Sequence, residues 1–159
     1  MELRIITSTG TRYVDSSSVD PNQIGQKGLG LLTIPSLWSI PFVCIEADVF
    51  STYAHTQDAK TKAKLIVDVA SYLRESFEYL NVSSDDSIII RSSGIKEGMF
   101  ERGHYDSLPS TQDKIENTLA ELFAKIIAEN EELPEIAFIV QKHLSASILG
   151  HLSRKQWGL

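Results

Sequence analysis

Between residues 57 and 80 the chain repeats apolar side chains at the period of an α-helix. Ala63, Ile66, Ala70, Leu73, Phe77 and Leu80 follow one another at spacings of three and four, which lines them along one face. Lys60, Lys62, Lys64, Arg74 and Glu75 fall largely off that stripe. A helix this long with one apolar face must be covered by a second layer of structure. Thr56 fits an N-cap, with Asp58 in the first turn, where a negative charge suits the helix dipole. A second helix is predicted over 111–130, with Ile115, Leu119, Leu122 and Ile126 as its stripe. Ser110 and Asp113 have the spacing of a capping box before it.

The layer these helices cover is written in β-branched and aromatic runs. "IPFVCIEADVF" (40–50) reads as one core strand, as does the isoleucine run ending at 91. "IAFIVQKHL" (136–144) is a third, and "SILGHLS" (147–153) begins a hairpin partner for it. Shorter strands are predicted at 3–8 and 12–16, followed by a polar loop at 16–22. "IGQKGLGLLTI" (24–34) reads as a glycine-rich turn opening a short helix. Strands mixed with long helices give an α+β or α/β architecture.

Length and charge limit the function. A chain of 159 residues makes one compact domain or two small lobes. Its hydrophobic fraction of 42% is enough for a real core. A net charge of −6 gives no support to nucleic-acid or anionic-membrane binding, which use basic surfaces. No apolar run spans a bilayer, and "MELRIITSTG" lacks the apolar core of a secretory signal. The single cysteine, Cys44, reads as a buried inert thiol. The simplest location is the cytoplasm. His55, His104, His143 and His151 make no metal-ligand spacing, and no Ser-His-Asp signature is present.

Chemistry concentrates in four places. "SIIIRSSGIKEG" (87–98) sets a permanent cation, two hydroxyls and a glycine at the mouth of a core strand. Arg91 there is either at a surface strand end, in solvent or paired to Glu97, or part of a phosphate site, which its planar fork suits. "GQKGLG" (25–30) offers backbone N–H groups and Lys27 to a phosphate, but matches neither the Walker A spacing nor the dinucleotide fingerprint. Its other reading is a surface turn. "RGHYDSL" (102–108) is either a β-turn or a small-residue segment where Ser107 hydrogen-bonds a ligand. Gln141 could read an adenine edge, though a glutamine at a strand end is usually structural.

Taken in order, these elements resemble the nucleotide-binding N-terminal region of the pyruvate phosphate dikinase and phosphoenolpyruvate synthase family. That ATP-grasp module also occurs in rifampicin phosphotransferase. The resemblance runs through "GQKG", "SIPFVCI", the long helix, "RSS" followed by Glu97, "RGHYDS" and "VQK", and spans nearly the whole chain. Three departures stand out: Gln26 inside the loop, Glu97-Gly98 in place of a longer acidic end, and Ser107 where threonine is common.

The resemblance implies an ATP-grasp-like N-terminal lobe over 1–110, a mixed sheet with packed helices, and the start of a second lobe over 111–159. It implies that Lys27 and Arg91 face the triphosphate and that Glu97 orients the arginine or lies on the ribose side. Ser107 would line the phosphate region and Gln141 the adenine edge. ATP would be the cofactor. The magnesium ligands are expected outside this chain, on the remaining domains of the phosphotransferase, in the same or a separate polypeptide. The whole enzyme would pass phosphate from ATP to a histidine on another domain, and this chain alone would be inactive. The competing expectation is a non-catalytic nucleotide-sensing or protein-interaction module. If the site is real, Lys27 and Arg91 must converge near Ser107.

Overall fold

A computed structural model describes residues 5–7, 20–34, 40–78, 80–96 and 107–144. The elements in chain order are β1 (Ile5–Thr7), α1 (Pro21–Thr33), β2 (Phe42–Ile45), α2 (Ala47–His55), α3 (Ala59–Ser76), β3 (Ile88–Gly94), β4 (Leu108–Ser110), α4 (Ile115–Glu129) and β5 (Ile136–Lys142). The strands form one sheet in the order β1-β2-β5-β3-β4. Its four described pairings are all antiparallel. The fold is α+β, with helices packed on the sheet. β5 is central, paired to β2 from Phe42↔Gln141 to Ile45↔Phe138 and to β3 from Ile88↔Lys142 to Gly94↔Ile136. Its sequence explains the position. Ile136 to Gln141 are all buried, as a strand covered on both faces requires. β5 and α4 share one sheet and core with the elements before residue 110.

Alternation divides the sheet into two faces. Val43 and Ile45 of β2, Ile88 and Ile90 of β3, and Ile136, Phe138 and Val140 of β5 join the larger core cluster. α2, α3 and α4 cover that face through Val49, Phe50 and Tyr53, through Ile66, Val69, Ala70 and Leu73, and through Leu119, Leu122, Phe123 and Ile126. Arg74 ties α3 to α4, donating to the Gln112 carbonyl at 3.2 Å and pairing with Glu116 at 2.7 Å. The opposite face is smaller. Phe42, Cys44, Ala137 and Ile139 pack there with Ile24 and the leucines of α1. Burial pushes the Cys44 thiol above its ordinary pKa, the Glu46 carboxylate adding to the effect.

Several expectations need correction. The segment 40–50 is not one strand: β2 stops at Ile45 and α2 begins at Ala47. Val49, Phe50 and Tyr53 form a helical face, which a short β-branched and aromatic window cannot reveal. Asp58, not Thr56, caps α3, accepting the Thr61 N–H at 2.7 Å, while Thr56 closes α2. Ala63 is exposed, because it lies one turn before Ile66, the first buried residue of α3. The capping box at 110–113 does not form. Ser110 lies in β4 with its hydroxyl 2.8 Å from that of Thr118, and Lys114 occupies the N-cap position without a side-chain bond. The strands expected at 12–16 and 147–153 lie outside the described residues. None of the described helices is long and apolar enough to cross a membrane.

The turn before β3 carries a pH-sensitive tie. Lys142 donates to Asp86 at 2.7 Å, and the Ser83 N–H and hydroxyl donate to the same oxygen at 2.8 Å. Lys142 first, then Ser83, lowers the Asp86 pKa to about 2. An unfolded aspartate titrates near ~3.9, so between those values the unfolded chain binds the extra proton. This contribution is therefore complete above about pH 4 and is lost as pH falls toward 2. Urea midpoints measured from pH 6 down to 2 should fall less steeply for Asp86→Asn than for the wild type across that window. Equal slopes would show that the tie does not persist in solution.

Candidate functional site

α1 is broken at its fourth peptide, and the break builds the site. Asp20 starts the helix, accepting the Asn22 N–H at 2.9 Å, with Pro21 in the first turn, where its missing donor is harmless. Gly25 then takes φ 69° and ψ 174°, a backbone region open to glycine almost alone. A kink of this kind strips nearby carbonyls and N–H groups of their helical partners. Ser93 of β3, 66 residues from Lys27 in sequence, supplies the replacements. Its hydroxyl donates to the Ile24 carbonyl at 2.8 Å and accepts the N–H groups of Lys27 at 3.1 Å and Gly28 at 3.2 Å. Two side chains of α1 reinforce the seam. Gln26 donates to the Ile95 carbonyl at 3.3 Å, and Lys27 Nζ donates to the Ser92 carbonyl at 2.8 Å.

"GQKG" and "RSSG" are therefore brought together, but not as an open phosphate cradle. The loop N–H groups expected to face a phosphate are given to Ser93. Gln26 is used as a tether. Sequence reasoning treated Ser92 and Ser93 only as hydroxyls near an anion. Adjacent strand residues point to opposite faces, so one of the two had to meet whatever covers the second face, and this was the available signal.

The other candidate residues are distributed as follows. Arg91 is exposed and shares its face of β3 with Ser93, two residues on, placing it on the α1 side of the sheet. It lies opposite Ile139 of β5. Gln141 stands opposite Ile89, on the same face by alternation and diagonal to Arg91. Gln141 is buried and donates to the Ile40 carbonyl at 3.4 Å, so its amide has a structural use. Ser107 is exposed, immediately before β4. The β3–β4 register runs Ile88↔Ser110, Ile89↔Pro109, Ile90↔Leu108. Continued by one residue, it sets Ser107 beside Arg91. Glu97 lies outside the described residues.

Charge and shape limit what this face can do. Lys27 Nζ rests on the carbonyl of Ser92, the residue after Arg91. Among the described residues, no three histidine, cysteine, aspartate or glutamate side chains group so as to hold a metal ion. A cleft of about 380 Å³ lies elsewhere, between α2, the start of α1 and the turn before β5, with Asp48, Ser51, His55 and Glu135 in its lining. None of the described candidate residues lines it. His55 there turns its ring to the Ser51 carbonyl at 2.8 Å, one helical turn back, and Glu135 pairs with Lys96 at 2.8 Å. No family model and no curated protein matches the chain.

Proposed function

We propose that the α1 side of the sheet binds the phosphates of ATP, as one lobe of an ATP-grasp phosphotransferase resembling pyruvate phosphate dikinase and phosphoenolpyruvate synthase. In the complete enzyme, phosphate would pass from ATP to a histidine on another domain. The observation that supports this reading is that "GQKG" and "RSSG", far apart in sequence, meet at Ser93, with the Lys27 ammonium on the carbonyl of Ser92, the residue after Arg91. Arg91 offers a planar fork to phosphate oxygens and Lys27 a point charge. Ser107 would line the phosphate region beside the arginine, and the resemblance assigns the adenine edge to Gln141. Magnesium, whose acidic ligands the resemblance assigns to segments outside this chain, would neutralise the phosphate charge when bound.

Calorimetric titration with ATP and ADP tests the reading. Arg91 is exposed, so its loss should leave the fold intact. Arg91→Ala should weaken nucleotide binding by about 1.5–3 kcal/mol, the range for a hydrogen bond to a charged group. Added salt should weaken wild-type binding more than that of the variant. Wild-type binding that Arg91→Ala leaves unchanged would reject the site. A second reading, a non-catalytic interaction module, is favoured by one observation: the loop N–H groups are already satisfied within the protein by Ser93. It requires a wild type that folds normally and binds no nucleotide.

A further inference from the structure

We infer that Ser93 is a positioning residue for the anion site: it fixes Lys27 against β3 and does not itself touch the anion. The inference rests on the nucleotide reading above. A serine hydroxyl has one donor and two acceptor lone pairs. Ser93 uses all three, giving its proton to Ile24 and taking the N–H groups of Lys27 and Gly28. It is fully buried, at 0% exposure. A phosphate oxygen would find no unused capacity on it and no path to it.

What Ser93 controls is Lys27. The lysine is held at both ends by consecutive residues of β3: its backbone N–H by the Ser93 hydroxyl and its ammonium by the Ser92 carbonyl. An arriving phosphate would draw the ammonium away from that carbonyl, while the backbone hold stays in place. The long, flexible lysine stem then starts from a fixed point, so less freedom is lost when it meets the anion. The second serine of "RSSG" thus acts on the ligand only through Lys27.

A double-substitution cycle on the full chain tests this, with ATP and inorganic tripolyphosphate as probes. Lys27→Ala should weaken tripolyphosphate binding roughly tenfold in the wild type, the low end for a charged hydrogen bond. In a Ser93→Ala background, which should bind more weakly from the start, removing Lys27 should change affinity less than about twofold, since the lysine is no longer placed. Arg91→Ala should cost the same factor in both backgrounds, a result that general loosening of the fold would not give. If Ser93→Ala does not fold, Ser93→Cys keeps the side-chain shape with a weak acceptor and carries the same comparison. Independent, multiplying losses for Lys27 and Ser93, or unchanged affinity on losing Ser93, would overturn the inference and leave the nucleotide site standing. A folded wild type that binds neither probe would overturn the nucleotide reading and this inference with it.

Discussion

Gly25→Ala should destabilise the protein by about 3 kcal/mol or more, seen as a lower urea midpoint with an unchanged slope. Two effects add. The backbone at φ 69° and ψ 174° is one that alanine adopts only under strain. A methyl group there would also sit 2.5 Å from the Ser93 hydroxyl oxygen and 2.7 Å from the Ser93 carbonyl carbon, with the carbonyl oxygen closer still. Carbon atoms and carbonyl groups do not approach so closely, so α1 would have to lift from β3. The obstacle is largely main chain, and this sharpens the test. Trimming Ser93 to glycine in the Gly25→Ala protein should not restore stability, because the carbonyl remains. Recovery in that double variant, or a loss below about 1 kcal/mol in the single one, would mean that the seam between "GQKG" and "RSSG" is looser than described. Gly30→Ala is the control, since a methyl there would meet no atom within 4 Å.

Phe123→Ala should cost about 3–5 kcal/mol, as for other large core aromatics. The ring is fully buried at the centre of the larger core. Its centroid lies 5.2 Å from Phe50, 5.1 Å from Tyr53 and 5.0 Å from Phe138. The contacts to Phe50 and Tyr53 are edge-on, the favoured geometry for aromatic pairs. These partners come from α2 and β5, so one side chain of α4 binds two other elements together. Guanidinium unfolding followed by circular dichroism measures the loss. Phe123→Leu should retain much of the stability, because leucine refills part of the space. A small loss in the alanine variant would place the junction of α2, α4 and β5 elsewhere.

That junction was hidden from sequence reading for a physical reason. Phe50 and Tyr53 belong to α2, whose first four residues, Ala47 to Phe50, look like the end of a strand. A strand and a short buried helix use the same apolar residue types, and nine residues are too few for periodicity to separate them. Long stripes did not suffer from this. Ile66, Ala70, Leu73 and Phe77 are buried, and so are Ile115, Leu119, Leu122 and Ile126. Over several turns only one face satisfies the 3.6-residue period. Caps were less legible, because many polar residues near a helix start can serve. Asp58 won over Thr56 by reaching the Thr61 N–H, and Ser110 was drawn into β4 before it could cap α4.

The candidate site divides in the same way. Residue types and order, a lysine in a glycine loop and an arginine after an isoleucine run, were enough to single out Lys27, Arg91, Ser107 and Gln141. Side-chain chemistry is a local property, and one strand's alternation already forces Arg91 and Ser93 onto one face. Whether α1 or α3 would cover that face is a non-local outcome. It followed from β5 taking the centre of the sheet, with Ala137 and Ile139 facing α1 and Ile136, Phe138 and Val140 facing the other helices. The use of the loop's N–H groups was non-local as well. A kink at Gly25 leaves donors unmet whatever the neighbourhood, but only the arrival of Ser93 decided that a buried hydroxyl, and not a ligand, would meet them. Hydrogen-bond partners 66 residues apart are chosen by packing, and no pattern confined to one segment encodes that choice.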